Sequence, residues 1–146
     1  MKRVSEVMTR DVAAVSPLDT VQLAAQLMDE LNVGMIPVCE EQRLVGVITD
    51  RDITVRATAA GWAPAETSVS DAMSANVRWC SESQNIEDVL SQMASTQVRR
   101  IPVVDEERLL VGIVSLGDLA TRSVTETGTT LRKISTPSQP DRSSVH

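Results

Sequence analysis

Two short stretches hold the residue types best suited to binding chemistry. Thr49-Asp50-Arg51-Asp52 and Ser115-Leu116-Gly117-Asp118 each place a hydroxyl three residues ahead of a carboxylate. If such a stretch opens a helix, the hydroxyl and the first helical N–H groups point outward to where a phosphate can sit. The carboxylate one turn on can accept both hydroxyls of a ribose. The same spacing is that of a capping box, in which the two side chains only close the helix start. Both readings stand on the residues alone. Arg99-Arg100 precedes the second stretch, and Gly34-Met35 takes the equivalent place before the first. Arg100 and Arg99 can meet a phosphate charge or simply lie on the surface in weak salt bridges. Arg51 and Arg56 can add charge near Thr49. Ile36-Pro37 and Ile101-Pro102 are candidates for an apolar slot, joined by Val12-Ala13 or Val77-Arg78. Proline has no N–H, so the polar edge of a planar base must meet other backbone groups.

Other chemistry is poorly supplied. The only histidine is His146, which removes Ser/His and Cys/His nucleophile pairs and any His-rich metal site. Cys39 and Cys80 lack zinc spacing and form no Cys-x-x-Cys, so they are expected as small core residues, with a disulfide or redox role as the alternative. No catalytic residue, metal ligand or required cofactor is assigned. The formal net charge of −6 argues against a duplex nucleic-acid binder. With no Phe or Tyr and only Trp62 and Trp79, stacking on single strands is disfavoured as well. No apolar run reaches the roughly 20 residues of a membrane span, and Met1–Glu6 does not read as a signal peptide. A cytoplasmic protein is expected.

The elements that must hold these residues are written twice. Val4–Leu44 aligns with Val69–Leu109 at a shift of 65, and after the inserted Leu110 the shift is 66. Over Val4–Arg56, 17 of 53 positions are identical, where unrelated composition would give about one in fifteen, so the repeat is real. Each copy reads as strand, helix, strand, strand, helix, an α/β (α+β) unit. Val12–Val15 is the expected first strand, closed by Pro17, and Asp19 or Thr20 can cap the next helix. Val21, Ala24, Ala25, Met28 and Leu31 form its apolar stripe, matched by Ile86, Val89, Leu90 and Met93. Met35–Cys39 and Leu44–Thr49 should pair as a hairpin, with Pro37 near an edge and Leu44–Thr49 buried on both faces. The last helix should run from Asp50 or Arg51 to about Ala60. The expected organisation is a first motif at 1–60, a linker at 61–67, a second motif at 68–122 and a Ser/Thr/Pro-rich tail at 123–146.

The repeated unit resembles the CBS motif, named after cystathionine beta-synthase. The resemblance rests on Val-x-x-x-Met (Val4 to Met8, Val69 to Met73), Ile-Pro-Val (Ile36 to Val38, Ile101 to Val103) and Gly-x-x-Thr/Ser-x-x-Asp (Gly46 to Asp52, Gly112 to Asp118), each present twice and in order. It covers about Val4 to Arg122. The chain is especially similar to stand-alone two-motif proteins such as the hypoxic response proteins. The resemblance implies two tandem motifs packed with pseudo-twofold symmetry (a Bateman module). It implies clefts between the motifs that take AMP, ADP, ATP or a related adenosyl ligand, signalling through a conformational or dimer change. A homodimer and a regulated protein partner are implied, and an enzyme is not. Arg99 to Asp118 is similar to the last motif of the AMP-activated protein kinase gamma subunit, where an arginine at the position of Arg100 contacts phosphate; Pro102 departs from that subunit. The implied ligand set is Ser115, Asp118, Arg100, Arg99, Ile113, Ile101 and Pro102 in one copy, and Thr49, Asp52, Arg51, Val47, Ile36, Pro37, Val12 and Ala13 at the other. A ligand-free scaffold is the alternative function, and a thiol redox sensor the next.

Overall fold

The computed structural model describes residues 2–120; the expected Ser/Thr/Pro-rich tail at 123–146 lies outside them. The chain forms two compact units. One is residues 13–77. The other joins residues 2–12 to the described residues from Arg78 on.

In the unit of residues 13–77, α1 (Val21–Leu31) starts where the Thr20 hydroxyl accepts from Leu23 N at 3.1 Å. It stops at Asn32, a left-handed residue at φ 58° that ends helices at little cost. Its buried face is Val21, Ala24 and Met28; Ala25 and Leu31, expected on the same stripe, are exposed. β1 (Met35–Glu40) and β2 (Arg43–Thr49) pair antiparallel, as expected, with Met35 opposite Thr49 and Pro37 opposite Val47. Ile36, Val38 and Ile48 face the core with α1, while the alternate residues Met35, Pro37, Val47 and Thr49 share the other face. Val45 and Val47 are only half-buried, so β2 is not buried on both faces. The expected strand at Val12–Val15 shrinks to a single parallel bridge between Val15 and Val38. Val15 N donates to Pro37 O and Cys39 N to Val15 O. The next rung would need a donor from Pro37 N, and proline has none.

After Thr49 comes a single α-helical turn, α2 (Asp50–Asp52), which widens into a π-helix at Ile53–Thr58. The expected helix is thus present but wound more loosely, with Ala59 N donating to Thr54 O. The expected linker contains a short 3-10 turn at Pro64–Glu66, and α3 (Val69–Ala72) follows.

The second unit repeats the plan. β3 (Cys80–Ser81) pairs parallel with β4 (Arg100–Val104), which pairs antiparallel with β5 (Leu110–Ser115). β3 stops at Cys80, opposite Val103, where Pro102 imposes the same missing donor. α4 (Ile86–Thr96) buries Ile86, Val89, Leu90 and Met93 on one stripe, and α5 (Leu116–Ala120) follows β5.

The compact units do not follow the sequence repeats. Residues 2–12 of the first repeat pack in the unit of the second: Val4 N donates to Gln84 O, Ser5 N to Glu82 O, and Thr9 exchanges two bonds with Ile113. Val69–Ser74 of the second repeat makes the equivalent bonds in the first unit: Val69 N to Asp19 O, Ser70 N to Pro17 O, and a two-way pair between Ser74 and Val47. The Val-x-x-x-Met segments are therefore exchanged. Two glycines allow the close approach. A Cβ on Gly46 would lie 2.6 Å from Ser74 O, and one on Gly112 would lie 2.7 Å from Thr9 O.

Candidate functional site

At the end of β5, Ser115 N donates to Asp118 Oδ2 at 2.9 Å and Asp118 N donates to the Ser115 hydroxyl oxygen at 3.0 Å. At the end of β2, Thr49 N donates to Asp52 Oδ2 and Asp52 N to Thr49 Oγ1, both at 3.0 Å. Both stretches are therefore capping boxes. Each cap uses one carboxylate oxygen and one hydroxyl lone pair, and it fixes the carboxylate at the strand end.

The strand register decides which other residues join them. Arg100 lies directly opposite Ser115, and Pro102 opposite Ile113, so these four side chains share one face of the β4–β5 pair. Arg99 is held by its carbonyl, which accepts from Leu116 N at 2.8 Å. Arg99, Arg100, Ser115 and Asp118 are all half-buried. Ile101 does not belong with them. It alternates to the other face and packs in the core with Val103 and Val114, at 1% exposure.

The first copy differs. Met35 stands opposite Thr49 where Arg100 stands opposite Ser115. Pro37 and Val47 share that face, and Ile36 is turned into the core. The Gly34 carbonyl accepts from Asp50 N at 3.0 Å, the equivalent of the Arg99–Leu116 bond. A Cβ on Gly34 would meet Asp50 Oδ2 at 3.1 Å. Asp52 Oδ1 takes the Ser74 hydroxyl at 3.4 Å and lies 4.0 Å from Arg56 Nε. Arg56, expected to supply charge, instead donates to the carbonyls of Ala72 and Met73 at 3.2 and 2.8 Å. Arg51 is exposed. Val12 and Ala13 are half-buried and lie in no strand. Ser74 was not singled out in the sequence; its place follows only from the exchanged segment.

Both cysteines are free thiols. Burial raises the Cys39 pKa and pushes that of Cys80 up to about 12. Neither is an activated thiolate near neutral pH. Among the described residues no group of three or more His, Cys, Asp or Glu could hold a metal ion, and no helix is long and apolar enough to cross a membrane.

Two α/β units, each with a hairpin ending in a capped Ser/Thr-x-x-Asp, define a class of paired-motif protein. The CBS domain family model matches residues 4–57 and 69–124, and the chain belongs to the CBS-domain family. It is 45% identical over 137 residues to the CBS domain-containing protein YhcV of Bacillus subtilis, covering 92% of this chain and 96% of YhcV. Hypoxic response protein 1 of Mycobacterium tuberculosis is 36% identical over 121 residues, covering 82% of this chain and 84% of that protein. Its crystal structure, with two coordinated zinc ions, superposes with a TM-score of 0.76 at 34% identity, covering 83% of this chain and 98% of that one. The crystal structure of CBSX2 in complex with AMP gives a TM-score of 0.75 at 27% identity, covering 85% and 97%.

Proposed function

We propose that the protein is a regulatory module that binds an adenine nucleotide (AMP, ADP or ATP) and is not an enzyme. The observation that carries the reading is the shared face of Arg100, Ser115, Pro102 and Ile113, with Asp118 fixed at its end. On this reading the Asp118 carboxylate, fixed at the strand end, meets the ribose hydroxyls. Arg100 meets phosphate, and Pro102 and Ile113 flank the base. The AMP held by CBSX2 supports the ligand class. The Thr49–Asp52 end of β2 is the weaker nucleotide site, because Met35 takes the place of the arginine and Arg56 is spent on Ala72 and Met73. Its partners are the nucleotide, a second copy in a homodimer and a regulated protein, in the cytoplasm. A thiol redox sensor is disfavoured by the buried, protonated Cys80.

The test is a thermal-shift panel of AMP, ADP, ATP, S-adenosylmethionine, NADH and adenosine, with calorimetry on the hits. A nucleotide at a hundred times its Kd should stabilise the fold by about 2.7 kcal/mol. Asp118→Ala should weaken adenosine and AMP alike. Arg100→Ala should weaken only phosphate-bearing ligands, by about 1.5–3 kcal/mol or roughly 10- to 100-fold. No stabilisation at millimolar nucleotide would favour the ligand-free scaffold, and unchanged AMP binding in both variants would remove the site assignment.

A further inference from the structure

The carboxylate of Asp52, at the end of β2, is bound to more than its cap. Its side chain is only 12% exposed. Oδ2 accepts from Thr49 N at 3.0 Å and so closes the cap. Oδ1 is engaged from outside the cap: the Ser74 hydroxyl donates to it at 3.4 Å, and Arg56 Nε lies 4.0 Å away. Ser74 is 22 residues away in the chain and arrives with the exchanged segment. Gly46 admits it, since a Cβ there would lie 2.6 Å from Ser74 O. Gly46-x-x-Thr49-x-x-Asp52 is therefore also a receptor for Ser74: the glycine lets the segment approach and the aspartate takes its hydroxyl.

These contacts differ in strength. Arg56 Nη1 donates to Met73 O at 2.8 Å, and Ser74 exchanges two backbone bonds with Val47 at 2.9 and 3.0 Å. Those bonds hold the segment. The hydroxyl bond to Asp52 is long for an O–H donor on a carboxylate, where about 2.5–2.7 Å is usual. It can break by rotation about one side-chain torsion while the backbone stays in place. A hydroxyl brought by a ligand at the usual distance makes the stronger bond and takes the same oxygen. The repeat alignment puts Thr9 at the place of Ser74; Thr9 is exposed, whereas Ser74 is half-buried.

We propose that Ser74 is a built-in competitor at the β2 end: its hydroxyl holds Asp52 Oδ1 while the site is empty, and a ribose hydroxyl must displace it to bind. The inference rests on the proposed function, since it takes the ligand to be a nucleoside or nucleotide whose ribose meets Asp52. Ser74 acts through Asp52 and is a positioning residue. Its effect is separate from the missing arginine, because it weakens adenosine, which has no phosphate, as well as AMP. The β5 end then fills first, and the β2 end fills at a higher concentration that Ser74 sets. The segment that gives up the bond runs on to Arg78, where the other unit resumes.

Titration of the full chain with adenosine tests it through two signals. Calorimetry reports binding to the molecule as a whole. The methyl NMR signal of Met35, the residue opposite Thr49, reports the β2 end. Ser74→Ala should tighten adenosine at Met35 by about two- to fivefold, the low end for a bond to a charged group. Ser74→Thr keeps the hydroxyl and should bind as the wild type does. A residue that merely supported the site would act with the opposite sign, its loss weakening the ligand. Dideoxyadenosine, which brings no ribose hydroxyl to Asp52, should gain nothing from Ser74→Ala. If that variant does not fold, Ser74→Cys, whose thiol is a weak donor, carries the same expectation. Unchanged or weaker adenosine binding in the variant, or an equal gain for dideoxyadenosine, overturns the proposal and leaves the proposed function standing. So does calorimetric binding with no response at Met35. No adenosine or nucleotide binding at all overturns both.

Discussion

Cys80 is a fully buried thiol whose pKa is raised from 9.0 to about 12 by desolvation alone. In the unfolded chain the same thiol loses its proton near its ordinary value, so between these two values the unfolded state binds fewer protons than the folded one. Stability must then fall as pH rises above 9, by at most about 1.4 kcal/mol per pH unit. The chain has no tyrosine to mask the effect. Urea midpoints at pH 8 and pH 10 should show the drop, and Cys80→Ala should reduce it, leaving the part that Cys39, also raised by burial, supplies; an unchanged slope in that variant would exclude the Cys80 thiol as a source. Asp118 illustrates a different residue-scale point. One carboxylate serves the cap through Oδ2, so its removal changes local order together with the proposed ribose contact. Arg100 has no part in the cap hydrogen bonds, which makes Arg100→Ala the cleaner probe of the proposed phosphate contact.

At the scale of elements, each hairpin depends on a backbone approach that only glycine permits. Gly112 faces Thr9 O at 2.7 Å and Met8 Sδ at 2.9 Å, measured from the position its Cβ would take. Gly46 faces Ser74 O at 2.6 Å and Met73 Sδ at 3.3 Å. Backbone atoms held in a two-way hydrogen-bonded pair cannot retreat without breaking that pair. Gly46→Ala and Gly112→Ala should each cost about 1–3 kcal/mol of overpacking, read as a fall in urea midpoint. Gly61→Ala is a different case, since its φ of 76° strains any side chain although nothing lies within 4 Å. The prolines act on the elements in the opposite sense. Pro37 and Pro102 withhold the donor that would lengthen the parallel pairing, which is why the first strand of each repeat is cut to one or two residues.

The whole molecule is built by exchange. Residues 2–12 complete the unit of the second repeat, and Val69–Ser74 completes that of the first. Deleting residues 1–9 should therefore damage the distant repeat and spare its own. Hydrogen exchange should show the Ile113 amide, which donates to Thr9 O at 2.9 Å, losing protection, while the Val47 amide, which donates to Ser74 O at 3.0 Å, keeps it. Equal loss at both amides, or loss at Val47 alone, would contradict the exchange.

The repeat, the helices and the hairpins were legible in the chain because hydrophobic period, caps and turn residues are local signals. Met28 and Met93 could be assigned to cores from spacing alone, whereas Ile36 and Ile101, expected at the ligand slot, turn into the cores instead. The Ser/Thr-x-x-Asp caps were legible too, since three residues suffice to form one. Register and exchange were not. Arg100 stands against Ser115 while Ile101 turns away because β4 and β5 pair as they do, and the pairing is a long-range event. Arg56 looked like free charge until the exchanged segment brought the Ala72 and Met73 carbonyls to it. Local sequence determines which elements form and where they begin. Which side chains meet at a strand end depends on backbone hydrogen bonds between residues far apart in the chain, and only the tertiary structure decides those.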